Sequence, residues 1–162
     1  MKYTYKDFLP LISIFLVIIF LTVLSVWYYK DTSVMFSMRM FMGFFFLVFG
    51  SFKILKWKAF AMAYREYDVI AMRSSLYSYL YPVIEICLAI AYLFAWNLVY
   101  TNIVTIVIML VSAYGVWLKL RKKEEIMCAC LGTVFTFPMT KVTLFEDLLM
   151  AVMAVGMLVS II

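Results

Sequence analysis

Long apolar runs separated by short charged or polar segments are the main pattern of this sequence. The runs extend from Phe8 to Tyr29, Met38 to Leu55, Leu76 to Phe94, Ile103 to Leu118 and Leu144 to Ile162. Each is close to the ~20 residues that a helix needs to cross the hydrocarbon core of a bilayer. The pattern therefore predicts an all-α membrane protein with five spans.

Three local signals refine this picture. The segment from Phe60 to Ser75 mixes charged with apolar residues, which favours an amphipathic segment lying at the membrane interface. Gly43 and Gly50 are seven positions apart on one face of the second span, where small residues allow a neighbouring helix to approach closely. Thr143 and Glu146 have the spacing of a capping box, which predicts a helix start there, and Trp96 to Asn102 reads as a short turn.

Composition supports the membrane assignment, and charge predicts the orientation. Hydrophobic residues make up 68% of the chain and charged residues only 14%, which is too apolar for a soluble domain of 162 residues. The net charge of +5 does not indicate nucleic-acid binding, because the basic residues flank the apolar runs. With the N-terminus in the cytoplasm, all basic residues except Lys30 and Arg39 fall on the inner side. We predict a multi-pass protein of the cell (inner) membrane with its C-terminus outside.

The most chemically suggestive motif is Cys128-Ala129-Cys130, in a chain that has no histidine. Two thiolates at this spacing suit soft ions such as Cu(I), Ag(I) or Hg(II), whereas zinc would need further ligands. The basic residues between Lys119 and Lys123 would favour the thiolate form. A disulfide across one residue would be strained and therefore labile. The pair is thus a candidate for metal binding or redox exchange, and it is predicted to face the cytosol. The alternative is that the cysteines are only two small hydrophobic residues in a loop.

A second candidate feature lies on the last predicted helix. Glu146, Met150, Met153 and Met157 are spaced by four, three and four residues, so they share one helix face. Thioethers one turn apart can pass a soft cation along a membrane path. Methionine is also an ordinary filler of membrane helices, and this packing interpretation is favoured for the stripe itself.

Glu85 is an acid in the middle of the third span, where an ionisable side chain indicates function by default. Its natural partner is Lys53, although the predicted boundaries place Lys53 nearer the inner surface. A structural ion pair, a neutral protonated acid and a direct role in ion or proton passage are all consistent with Glu85. Cys87 is interpreted as a small buried residue.

Three stretches together carry a family resemblance. They are FGSFKILKWKAFAMAY from Phe49 to Tyr64, YPVIEICLAIAYL from Tyr81 to Leu93, and CACLG from Cys128 to Gly132. In these stretches the chain resembles the MauE family of small redox-associated membrane proteins, relatives of the DoxX-like group. The resemblance implies a four-helix bundle over residues 38–162, with residues 1–37 as an added N-terminal helix and outer loop. It also implies a role related to methylamine utilisation, in which such a protein helps to mature a disulfide-rich dehydrogenase subunit.

Three functional hypotheses follow. The main one is a non-enzymatic membrane protein that transports a soft heavy-metal ion or transfers it to a soluble metal-binding partner. Cys128 and Cys130 would be the ligands, with Glu146, Met150, Met153, Met157 and Glu85 along the path. The alternatives are a thiol-disulfide redox or maturation protein of the MauE type, acting with a thiol redox partner through the same cysteines, and a non-catalytic assembly subunit. No cofactor site is recognisable beyond the possible metal ion, and the glycine-rich loops and histidines of many soluble enzymes are absent.

Overall fold

The structure is a computed structural model that describes residues 5–122 and 140–161. The described residues form six helices and no strands. These are α1 (Tyr5–Tyr29), α2 (Val34–Leu55), α3 (Trp57–Tyr64), α4 (Ser75–Leu93), α5 (Leu98–Arg121) and α6 (Thr140–Ile161). All of them except α3 are long and apolar enough to cross a bilayer. The prediction of an all-α membrane protein with five spans is confirmed.

Serine side chains define where two of the spans begin. The hydroxyl oxygen of Ser33 accepts a hydrogen bond from the backbone amide of Phe36 at the start of α2. Ser74 does the same for the amide of Tyr77 at the start of α4. Each hydroxyl satisfies an amide that has no partner within the first helical turn, so these helices begin at defined residues.

Close packing of α2 against α4 forms one half of the bundle, and α5 pairs with α6 to form the other. The two predicted glycine positions lie in the α2–α4 contact. A Cβ atom at Gly43 would come within 2.8 Å of the Leu93 side chain, and one at Gly50 would meet Ile86 at 3.0 Å. The predicted close approach at both glycines is therefore confirmed.

Helix α1 lies at the edge of the bundle and packs against α2 among the described helices. The Phe15 ring contacts the rings of Phe45 and Phe49, with centroid distances of 6.0 and 6.1 Å. Most other side chains of α1 are exposed, including Phe20 and Trp27. Such an apolar exposed surface fits a lipid bilayer. The division into residues 1–37 and 38–162 stays a prediction.

The segment after α2 is folded onto the bundle. Only Trp57–Tyr64 is helical, and Phe60, Tyr64, Tyr67 and Asp68 are buried. A Cβ atom at Gly115 of α5 would lie 2.5 Å from the carbonyl oxygen of Tyr67, so the backbone passes directly over this helix. Other apolar side chains of the segment are exposed, and its predicted position at the membrane interface stays a prediction.

Two predicted helix boundaries also differ. Helix α6 begins at Thr140, so Thr143 and Glu146 lie inside it and do not form a capping box. Helix α5 begins at Leu98, so Thr101 and Asn102 are helical rather than part of the turn. Both are buried. Polar residues that suggest a helix end in water are here inside the bundle, and the Thr101 hydroxyl donates to the Trp96 carbonyl.

Arg39 joins two helices at the opposite end of the bundle from α3. Its guanidinium donates to the carbonyl oxygens of Tyr92 (2.9 Å) and Leu93 (3.1 Å), at the end of α4. The carbonyls in the last turn of a helix lack partners within that helix and carry partial negative charge. Arg39 therefore acts as a side-chain cap for α4 from the first turns of α2.

Candidate functional site

A buried ion pair between α2 and α4 is at the centre of the site. Nζ of Lys53 lies 2.5 Å from Oε1 of Glu85, and the two residues are only 6% and 2% exposed. The ammonium also lies over the rings of Tyr81 and Phe60, 5.0 and 5.5 Å from their centroids. The aromatic faces add electrostatic stabilisation to the charge. The pairing expected from the sequence is present.

Lys53 lies near the end of α2 and is nevertheless buried, because α3 covers this end. Helix α2 ends at Leu55, but α4 continues past that level, and α3 packs against the extra turns. The Tyr64 ring of α3 lies 4.4 Å from that of Tyr81, centroid to centroid. The pair is therefore covered by aromatic side chains on the side where α2 ends.

Two further acids of α6 reach the same region. Glu146 and Asp147 are 4% and 8% exposed. Both interact electrostatically with Lys53 and with Glu85. The Ser112 hydroxyl of α5 lies beside the Asp147 carboxyl. Helices α2, α4, α5 and α6 thus converge on one group of charged side chains, which we call the buried acid cluster: Lys53, Glu85, Glu146 and Asp147.

Several oxygen atoms of this cluster lack hydrogen-bond partners. Within the described part of the chain, Oε2 of Glu85, Oε1 of Glu146 and Oδ2 of Asp147 are buried without one. A buried polar atom without a partner costs about 1–3 kcal/mol, and an unpaired buried charge costs more. Three carboxyl groups therefore share the one cation that interacts with all of them among the described residues.

A second polar group lies between the cluster and α3. The Tyr64 hydroxyl donates to Oδ2 of Asp68 at 2.9 Å, and the amides of Ile70 and Ala71 donate to Oδ1 at 2.9 and 2.8 Å. Asp68 is fully buried and interacts electrostatically with Asp147. Burial raises the pKa of Tyr64 well above its usual 10.0, and the negative charge of Asp68 acts in the same direction. The Tyr64 phenol is therefore held as a proton donor to Asp68.

The candidate ligands on α6 lie within the protein core. Met150 and Met157 are fully buried, and Met153 packs against the core from its edge. Glu146 lies on the same helix and belongs to the buried acid cluster. Within residues 5–122 and 140–161, no group of three or more Asp, Glu, Cys or His side chains is arranged to hold a metal ion. Cys128 and Cys130 lie outside the described residues.

Cys87 is exposed, which corrects its interpretation as a buried residue. It faces a groove of about 450 Å³ between α4 and α5, whose wall also includes Leu80, Trp96 and Tyr100. Helices α4 and α5 make few contacts with each other, so side chains that would otherwise be covered face outwards. The Cys87 side chain therefore points away from the buried acid cluster, although it is only two residues from Glu85.

Sequence reasoning identified Lys53, Glu85 and Glu146 individually but not the cluster that they form. The sequence did not single out Asp147, and Asp68 lies in the segment from Phe60 to Ser75, for which an interfacial position is predicted. A signal was available in both cases, because an acid within or beside a membrane span is costly unless it has a partner. The identity of the partner depends on which helix faces meet.

Comparison with known proteins assigns the chain to a family. No match was found among curated proteins or among solved structures. The family model described as "Methylamine utilisation protein MauE" matches residues 6–160, a range that includes α1 and the α5–α6 connection with its two cysteines. The chain is therefore a multi-pass membrane protein that belongs to the MauE family.

Proposed function

We propose that this MauE-family protein supports thiol-disulfide maturation of a partner protein, with Cys128 and Cys130 as the exchanging thiols. The observation that carries this proposal is a family match that extends through a connection holding two cysteines one residue apart. Thiols at this spacing suit an exchange reaction because a disulfide between them is strained and readily transferred. The proposed role is of the methylamine-utilisation type, in a chain whose own partner is to be identified.

The orientation that goes with this role has the N-terminus in the cytoplasm and the C-terminus outside the inner membrane. It is supported by the distribution of basic residues, of which Lys30 and Arg39 alone lie at the outer end of the bundle. With five spans, the segments after α2 and after α5 lie on the N-terminal side of the membrane. The cysteine pair would then exchange with thiols at the cytosolic face.

In the exchange step, the thiolate of one cysteine attacks a disulfide of the partner and forms a mixed disulfide. The second cysteine attacks the mixed disulfide, which leaves the partner as a dithiol and the pair as a disulfide. The reverse sequence oxidises the partner. Lys119, Arg121 and Lys122, near the end of α5, would stabilise the attacking thiolate.

The decisive experiment is thiol trapping in cells, followed by separation of disulfide-linked species. We expect a fraction of the wild-type pair to be oxidised. One of the variants Cys128→Ser and Cys130→Ser should accumulate a mixed disulfide with a partner, because it lacks the cysteine that resolves it. Cys87→Ser is the matched control and should behave as wild type. A pair that stays fully reduced under all growth conditions would exclude the proposal.

The soft-metal hypothesis uses the same two cysteines and is separated from the redox hypothesis by direct binding. It expects purified wild-type protein to bind Cu(I), Ag(I) or Hg(II) under reducing conditions, and the Cys128→Ser/Cys130→Ser double variant to lose this binding. The thiol-exchange hypothesis does not require the protein to bind a metal ion. Wild-type behaviour of the double variant in both assays would favour the third hypothesis, a non-catalytic assembly subunit.

A further inference from the structure

Among the described residues, the buried acid cluster carries more acidic groups than the nearby positive charge balances. Lys53 is paired with Glu85, and the same ammonium is the cation that interacts with Glu146 and Asp147 among the described residues. Lys56, Lys58 and Arg121, near the same end of the bundle, are exposed, and Lys119 is half-buried. With all three carboxyl groups ionised, the cluster would hold two negative charges in excess within the membrane-spanning bundle.

The groups that face these acids come from every helix packed around them. They are Lys53 of α2, Tyr77, Tyr81 and Glu85 of α4, Ser112 of α5, Glu146 and Asp147 of α6, and Asp68 with Tyr64 from α3 and the segment that follows it. Asp68 is itself an acid, so it adds to the negative potential at Asp147. Tyr64, Tyr81 and Ser112 bring hydroxyl groups and no charge.

The oxygen atoms without hydrogen-bond partners indicate where the excess negative charge of the cluster is relieved. Each of the three acids has one buried oxygen atom with no hydrogen-bond partner in the described residues. An ionised carboxylate in this position would be destabilised by loss of water and by its like-charged neighbours. Binding a proton removes the charge and turns the acid into a hydrogen-bond donor towards an adjacent carboxylate. A proton needs only one of these oxygen atoms, so it is a cation that fits the site.

We propose that Glu85, Glu146 and Asp147 form a proton-binding site inside the membrane, which holds at least one exchangeable proton at neutral pH. The site is separate from Cys128 and Cys130 in its chemistry and does not depend on the proposed thiol exchange. We expect this proton to exchange towards the α3 side, where hydroxyl groups lie next to the site. The Tyr81 phenol lies beside Glu85, the Tyr64 ring packs against Tyr81, and the Tyr64 hydroxyl donates to Asp68.

Infrared spectroscopy of the purified full-length protein in a detergent without ester groups tests the site directly, because a protonated carboxyl group has a carbonyl band that an ionised carboxylate lacks. At pH 7, wild type is expected to give this band, with a shift in D2O. Asp147→Asn or Glu146→Gln should weaken it, whereas Glu66→Gln, which alters an exposed acid, should leave it unchanged. The Cys128→Ser/Cys130→Ser variant should keep the band, which separates this result from any failure of the thiol hypothesis.

If the wild-type spectrum at pH 7 lacks the band of a protonated carboxyl group, the proposal is overturned. A band that persists at full intensity in Glu85→Gln, Glu146→Gln and Asp147→Asn also overturns it, because the proton then lies elsewhere. The amide variants mimic a protonated acid, so the site predicts that at least one of them folds with wild-type thermal stability. The exchange route is tested by Tyr81→Phe, which should slow the D2O shift, with Tyr79→Phe as the exposed control. Equal exchange rates in the two variants would exclude this route.

Discussion

Lys53 and Glu85 are 32 positions apart in the chain, and their charged atoms are 2.5 Å apart inside the bundle. The pair joins the end of α2 to the middle of α4, and it is enclosed by Phe60 and Tyr81. Because water is excluded, each charge depends on the other. The stability of this half of the bundle should therefore depend on both residues together.

Replacing Lys53 by methionine should destabilise the protein by about 3–5 kcal/mol, because Glu85 is left as an unpaired buried charge. Thermal or denaturant unfolding in detergent measures the loss, with Lys58→Met as the exposed control. The deficit should shrink as the pH falls, since a protonated Glu85 carries no charge. The double variant Lys53→Met/Glu85→Leu should recover much of the stability. Equal stability of Lys53→Met and Lys58→Met at pH 7 would contradict this account.

Gly115→Ala should destabilise the protein by about 1–3 kcal/mol, because its Cβ would lie 2.5 Å from the backbone oxygen of Tyr67. A backbone atom cannot move aside as the end of a side chain can. Gly156→Ala is the matched control, since a Cβ atom there would lie 3.7 Å from the Met38 methyl carbon, an ordinary van der Waals contact. This second variant should be as stable as wild type or slightly more stable. Similar melting temperatures for the two variants would argue against the close packing of α5.

Arg39→Met should lower the free energy of unfolding by about 1 kcal/mol, since the Tyr92 and Leu93 carbonyls at the end of α4 lose the charged guanidinium donor and Tyr92 keeps only backbone donors. Arg39→Lys should recover part of the loss, because lysine keeps the charge and a donor. Arg73→Met, at an exposed position, controls for a change of net charge. Amide hydrogen exchange in the last turn of α4 gives a local measurement. Unchanged exchange in Arg39→Met would count against the cap.

Tyr64→Phe should change the response of the protein to alkaline pH. Burial raises the pKa of Tyr64 in the folded protein above the ordinary 10.0, so the unfolded chain releases this proton first. Stability is therefore unaffected by this group below pH 10 and falls as the pH rises further, by up to about 1.4 kcal/mol per pH unit. Tyr64→Phe should show a shallower alkaline loss than wild type, and Tyr79→Phe should not.

At neutral pH, Tyr64→Phe should also be less stable by about 1–3 kcal/mol, because Oδ2 of the buried Asp68 loses its donor. Unfolding curves recorded at pH 7 and above pH 10 separate the two effects. A variant with wild-type stability at pH 7 would contradict the hydrogen bond, and a variant with the wild-type alkaline slope would contradict the shifted ionisation.

The five spans were predictable from the sequence because crossing a bilayer depends on a local property, the length of an apolar run. The close approaches at Gly43 and Gly50 were predictable for a similar reason, since the absence of a side chain is visible at the position itself. Glu85 could be singled out because an acid in a membrane span is costly wherever its helix packs. The positions of α3 and of the start of α6 were not predictable in this way. Their polar residues resemble those of exposed helix ends, and only neighbouring helices bury them.

The sequence by itself determined the number of spans, the apolar character of their surfaces and the presence of isolated acids within or beside them. The tertiary structure decided that Glu146 and Asp147 lie near Lys53 and Glu85, that α3 covers this group, and that Cys87 faces outwards. The reason is physical. Insertion into lipid is governed residue by residue along one helix, whereas side-chain partners are fixed by helix rotation and packing, which depend on residues distant in the chain.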